Sequence, residues 1–143
     1  MLKVSMDNLK DLVNLALELW PHHSAEELKA EFEETLAKDD AVFFLEYDGS
    51  LPVGFAQCQL RYDYVEGTSA SPVGYLEGIF VSEPYRKKGI ARQLLTACEG
   101  WAKEKDCKEF ASDCELTNIQ SLRFHQSIGF EEANRIICFT KKL

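Results

Sequence analysis

Apolar residues recur along this chain with two alternating periods. Leu9, Leu12, Val13, Ala16 and Leu19 repeat at helical spacing, and Trp20-Pro21-His22-His23 ends the run because proline cannot continue the hydrogen-bond ladder. Ahead of it Leu2 to Met6 reads as a short strand, with Asp7 or Asn8 as the helix cap. Ser24 and Glu27 make a capping box for a second helix through Leu28, Phe32 and Leu36. Strand-like runs follow at Ala41 to Tyr47 and Val53 to Tyr62, separated by the turn signal Asp48-Gly49-Ser50. Residues 63–73 hold turn formers with aromatic and acidic side chains, too many for a tight hairpin, and loops of that length are often functional. Tyr75 to Val81 is a third β run, broken at Pro84. The helical period returns through Ile90, Leu94, Leu95, Cys98, Trp101 and Ala102. Glu109 to Cys114 reads as a short strand. Thr117 and Gln120 cap a helix that stops at Gly129, and Arg135 to Lys141 reads as a closing strand.

The order β-α-α-β-β-β-α-β-α-β predicts an α/β protein: one mixed sheet with helices on both faces. A parallel βαβ unit (75–81, 89–104, 109–114) sits at its middle. No repeat or linker interrupts it, so residues 1–143 are expected to form one domain, a length that buries roughly two-thirds of the unfolded surface. With neither an apolar run of about 20 residues nor a signal peptide, the pattern predicts a cytoplasmic protein with no membrane partner. Five cysteines without a Cys-x-x-Cys pair predict reduced thiols and no metal. Sixteen basic against twenty-four acidic residues, a net charge of −8, argue against nucleic acid and suit a polycationic partner.

Chemistry concentrates where the third strand meets the long helix. Arg86-Lys87-Lys88-Gly89-Ile90-Ala91-Arg92 is a basic turn with one glycine at a helix start. Helix N-termini present unpaired N–H groups and the positive dipole end, and glycine lets backbone approach a phosphate, so the turn reads as a pyrophosphate cradle. It is neither a Walker loop nor a dinucleotide fingerprint. Arg86-x-x-Gly89-x-Ala91 does resemble the acetyl-coenzyme A loop of the GNAT superfamily of N-acetyltransferases, and the element order is similar to that fold over nearly the whole chain. The resemblance implies that two parallel strands splay around the pantetheine arm of acetyl-coenzyme A, with Ile79, Phe80 and Val81 offering backbone to it. It also places Asn118 near the cofactor and makes the protein a single GNAT domain. Where such proteins often carry a tyrosine as general acid toward the departing thiolate, this sequence has His125. That residue could serve as the acid or simply bond a neighbour in its helix.

Glu77 and Asp113 interrupt apolar strands, and a carboxylate in such a place needs a partner. Either an ion pair with Arg61, Arg123 or Arg135 supplies it, or a cationic substrate does, with one carboxylate accepting the amine's proton. Leu-Trp-Pro-x-His (19–23), Tyr-Asp-Tyr-Val-x-Gly (62–67), Ser-Pro-Val (71–73), Leu-Glu-Gly-Ile-Phe-Val (76–81), Ala-Ser-Asp (111–113) and His-Gln-x-x-Gly-Phe-Glu-Glu (125–132) resemble the aminoglycoside 6′-N-acetyltransferases. That likeness implies acetyl transfer to a primary amine of an antibiotic, giving resistance, with Trp20, His23, Tyr64, Glu77, Asp113 and Asn134 around the aminoglycoside. It also implies a homodimer. Trp20 read alone is a core residue at a helix end. A GNAT enzyme for another amine, or a coenzyme A-binding sensor without turnover, are the competing readings.

Overall fold

Near-continuous apolar runs form a single sheet covered on both faces, seen in a computed structural model that describes residues 1–143. Its strands lie side by side in chain order: β1 (Leu2–Lys3), β2 (Ala41–Asp48), β3 (Leu51–Arg61), β4 (Val73–Val81) and β5 (Phe110–Ser112). All neighbours run antiparallel except β4 and β5, which are parallel. Helices α1 (Leu9–Leu19) and α2 (Ala25–Leu36) cover one face, and α3 (Ile90–Glu104) covers the other. Successive strand residues therefore enter different cores. Phe43, Leu45 and Phe55 pack with Leu12, Ala16, Leu28 and Phe32, while Val42, Ala56 and Cys58 pack with Leu94, Leu95, Cys98 and Trp101. A polar tether joins α1 to β2, the Tyr47 hydroxyl donating to Asp11 at 2.8 Å. Burial, then that bond, pushes the phenol up to about 12, so it stays a donor.

Local chemistry moved several boundaries. β1 stops at Lys3 rather than Met6 because Ser5 and Asn8 exchange bonds around a 3-10 turn at Met6–Asn8. Asn118, not Thr117, caps α4 (Ile119–Ser127), its side-chain oxygen accepting from the Ser121 amide at 3.1 Å. β5 is three residues instead of the six from Glu109 to Cys114. Glu109 turns its carboxylate to the loop before β4, and Asp113 lies exposed beyond the strand.

The closing strand expected over Arg135 to Lys141 is absent. Residues 130–143 have no regular structure, and Ile136, Ile137 and Phe139 are 67%, 80% and 87% exposed. Strand propensity needs a neighbouring ladder, and within one chain this segment meets none.

Candidate active site

Parting of the two parallel strands creates the site. β4 and β5 pair only at Gly74↔Phe110, Tyr75↔Ala111 and Leu76↔Ser112. Beyond Leu76, β4 runs on to Val81 bonded to β3 alone, so its other edge through Ile79, Phe80 and Val81 is open. At the apex the Ser112 hydroxyl reaches the Leu76 carbonyl at 3.2 Å and His125 Nε2 at 2.8 Å. The other ring nitrogen, Nδ1, donates to the Ser121 carbonyl at 2.7 Å. Both nitrogens of His125 are thus engaged inside the chain, and Ser112 links the ring to the splay.

A bulge aims the first carboxylate. Gln57 pairs with Gly78 and Cys58 with Leu76, which leaves Glu77 as an extra residue on β4. The side-chain alternation slips there by one. Leu76, Ile79 and Val81 face the α3 core, whereas Gly78 meets Trp20 and Phe80 joins Phe55 on the α1 side. Gly78 is needed for this: a Cβ there would come within 2.8 Å of the Trp20 ring. Trp20 is held edge-on to Phe55, with ring centroids 5.9 Å apart, at the margin of the α1–α2 core. It is therefore both a core residue and a wall of the surface next to Glu77.

Glu77 has its ion-pair partner. Arg61 Nε donates to Oε1 at 3.0 Å and an Arg61 terminal nitrogen donates to Oε2 at 2.9 Å, a bidentate pair. The same guanidinium lies 3.4 Å from the centre of the Tyr75 ring, and the Tyr75 hydroxyl donates to Asp113. Neither Arg123 nor Arg135 takes this role, and Arg135 pairs with Glu132 instead. Glu77 raises the already high affinity of Arg61 for its proton. Burial first, then Asp113, pushes the Tyr75 phenol well above the ordinary tyrosine range, so it remains a donor.

The basic turn has the form of an anion cradle. Gly89 caps α3 with φ +83, a conformation that favours glycine, and Lys87 is also left-handed at φ 61. None of the backbone N–H groups from Lys87 to Arg92 meets an acceptor within the chain. These amides fit a pyrophosphate. Not every cation of the turn is free for one, since Arg86 Nε donates to the Val81 carbonyl at 2.8 Å and Arg92 to the Ser127 carbonyl at 3.1 Å. Arg86 thereby ties the turn to the end of β4, and Lys88 stacks over Tyr85. Asn118 spends its oxygen on its own helix.

The remaining expected residues are spread wider. His23 is exposed, 4.0 Å from Glu27, and Tyr64 is 77% exposed in the loop before β4. Asn134 donates to Glu66 of that loop at 2.9 Å. Glu109 braces the loop further by accepting from the Ser69 and Ala70 amides at 2.8 and 2.7 Å. Those amides hold its carboxyl below the usual range. A separate open cavity of about 620 Å³ touches Lys38, Asp40, Tyr62 and Lys105. It has neither the splayed strands nor either carboxylate.

Sequence reading did not single out Tyr75, Ser112, Ser121 or Gly78. Tyr75 reads as one more apolar strand residue, and only the register that sets it beside Ala111, two residues before Asp113, reveals its partner. The arginine choice was narrowed to three, and the cross-strand diagonal decides it: Arg61 lies opposite Val73, two residues from Tyr75.

Comparison with known proteins agrees with this geometry. Residues 7–130 match the acetyltransferase (GNAT) family. An aminoglycoside N(6′)-acetyltransferase type 1 of Serratia marcescens is 41% identical over 139 residues, covering 96% of this chain and 94% of its own length. A protein of the same description from Salmonella enteritidis is 38% identical, covering 98% of this chain and 97% of its own. Among solved structures, AAC(6′)-Iy in complex with a bisubstrate analogue of coenzyme A and acetylneamine superposes with a TM-score of 0.95. It is 37% identical, and the match covers 99% of this chain and 97% of that one. The ligand-free 6′-N-acetyltransferase AAC(6′)-IG of Acinetobacter haemolyticus gives a TM-score of 0.95 at 37% identity, covering 100% and 99%. With five strands, a parallel pair that splays at the edge of the sheet rather than at its middle, and a glycine-started turn before α3, the chain belongs to the acetyltransferase (GNAT) family.

Proposed function

We propose that this protein transfers the acetyl group of acetyl-coenzyme A to the 6′ amine of aminoglycoside antibiotics and so confers resistance to them. The observation that carries the reading is the pair of carboxylates at the splay: Glu77 on its bulge beside the open edge of β4, and Asp113 just past the end of β5. An ammonium-rich sugar needs such groups, and a thioester lying along β4 would be within the same cleft. The relatives named as aminoglycoside N(6′)-acetyltransferases select this amine over others.

In this reading the amides of residues 87–92 hold the pyrophosphate, with Lys87 and Lys88 adding charge and Gly89, Ile90 and Ala91 shaping the turn. The backbone of Ile79, Phe80 and Val81 holds the pantetheine arm, and Asn118 lies beside it. Glu77 and Asp113 bind the amine, and one of them takes its proton as nitrogen attacks the thioester carbon. The two act as a pair. A β4 amide meets the oxyanion. His125 enters the step as the imidazolium with a proton on Nε2. It passes that proton to the Ser112 hydroxyl it meets there as the hydroxyl gives its own to the departing sulfur, while the carboxylate keeps the amine's proton. Trp20, His23, Tyr64 and Asn134 surround the sugar rings, the aromatic faces against apolar sugar edges and cations.

The working unit in this proposal is a homodimer in the cytoplasm. The free thiols of all five cysteines suit a reducing compartment. Exposed Ile136, Ile137 and Phe139 on an unpaired tail, together with the uncovered outer edge of β5, supply apolar surface and a strand edge for a second copy. The catalytic reading is tested by following thiol release from acetyl-coenzyme A with an aminoglycoside, a linear polyamine and a peptide amine in parallel. Turnover with the aminoglycoside is expected. Turnover confined to the polyamine or peptide would replace it with another member of the family, and none at all would favour a sensor.

A further inference from the structure

A cation sits where the proposed substrate brings cations of its own. Arg61 projects from β3 onto the same sheet face as Tyr75 and Glu77, its side chain 39% exposed and that of Glu77 18%. Its charge opposes a polycationic aminoglycoside, so attraction of substrate does not account for it. Its geometry points elsewhere. Both Glu77 oxygens accept from the planar guanidinium, whose central carbon in turn lies over the Tyr75 ring, and Tyr75 donates to Asp113. Glu77, Arg61, Tyr75 and Asp113 form one unbroken line joining the two amine-binding carboxylates.

We propose that Arg61 is a positioning residue that, with Tyr75, fixes the orientation and separation of Glu77 and Asp113; this rests on the acetyltransferase reading above. A carboxylate has about four lone-pair sites. The guanidinium occupies one on each oxygen, leaving one on each for a substrate ammonium. Arg61 therefore holds Glu77 in a single rotamer without closing it to substrate. It also offsets the charge of Glu77, which weakens ground-state attraction to the ammonium. Orientation acts on the transition state, while the offset acts on both bound states. The two effects separate in kinetics.

Arg61→Met keeps an apolar stem over Tyr75 and removes both the charge and the planar donor pair. Its kcat is expected to fall about 10- to 100-fold, the scale of a misplacement near 1 Å, while KM for the aminoglycoside stays at or below the wild-type value. Arg61→Lys restores the charge without the geometry, so it should return KM to wild type and recover little of kcat. The KM for acetyl-coenzyme A should not change in either. An unchanged kcat in folded Arg61→Met overturns the proposal, as does a raised aminoglycoside KM at constant kcat, which would make Arg61 a direct substrate contact. Should Arg61→Met fail to fold, the wild-type Nε–H resonance of Arg61 decides by NMR. It should stay protected from exchange when aminoglycoside is added. Loss of protection would mean that substrate displaces Arg61 and would overturn the idea. Absence of wild-type turnover, by contrast, counts against the functional reading and not against the pair.

Discussion

Glu77 owes its place to one extra residue on β4. The run from Val73 to Val81 is apolar almost throughout, so its period cannot show which residue is bulged, and the slip appears only when Leu76 and Gly78 are found against consecutive residues of β3. What the sequence did reveal was the anomaly itself: a carboxylate inside a β run, and a second one after Ala111-Ser112. Asp113 proves to be exposed, so the argument from a buried charge applies to Glu77 and not to Asp113. Glu77→Gln and Asp113→Asn keep shape and remove charge. A charge-assisted bond is worth about 1.5–3 kcal/mol, and a general base contributes roughly 100- to 10,000-fold in rate. Each variant is expected to bind acetyl-coenzyme A as the wild type does and to acetylate an aminoglycoside far more slowly. Raising the pH should partly restore the variant that lost the base, because more amine is then unprotonated. Wild-type rates in both would leave the carboxylates a purely structural role.

Among elements, the long helix was readable to within a residue because apolar spacing and a starting glycine agree, and α3 begins at Ile90 behind Gly89. The cradle can be tested there. No atom lies within 4 Å of a Cβ added at Gly89, so Gly89→Asp costs mainly its left-handed backbone, about 1–2 kcal/mol. A carboxylate would then stand among the free amides. Calorimetry should show a folded protein with acetyl-coenzyme A binding lost, and retained affinity would remove the cradle from residues 86–92. The loop before β4 was legible as a long loop from its turn formers; its brace was not, because Glu109 lies 40 positions from Ser69. The Glu109 carboxyl is held low by the Ser69 and Ala70 amides, so their bonds are intact above the ordinary glutamate range and are lost as pH falls through the lowered value. Hydrogen exchange in residues 63–72 should rise on acidification, and should already be raised at neutral pH in Glu109→Gln. Exchange that is flat with pH and unchanged in the variant would show the loop is held by other contacts.

At the scale of the whole molecule, element order carried the fold, and the chain's final segment marks where sequence reasoning stopped. The β-branched and aromatic run within Arg135 to Lys141 gives strand propensity, but propensity does not say which edge the strand joins, and one copy of the chain leaves it unpaired. If a second copy supplies the edge, light scattering should give a mass near twice 16.3 kDa. Ile137→Asp combined with Phe139→Asp should then shift it toward monomer. A wild-type monomer across the micromolar range would remove the dimer from the account.

The central claim is that the splay at Leu76 and Ser112 presents an aminoglycoside's 6′ amine to acetyl-coenzyme A. It is tested most directly with two aminoglycosides that differ only at that position, one bearing a 6′ amine and the other a 6′ hydroxyl. Thiol release and NMR of the product are followed for both. The account predicts turnover with the first alone, and an acetyl group on its 6′ nitrogen. Equal turnover of the pair, or acetylation at another amine, would contradict it.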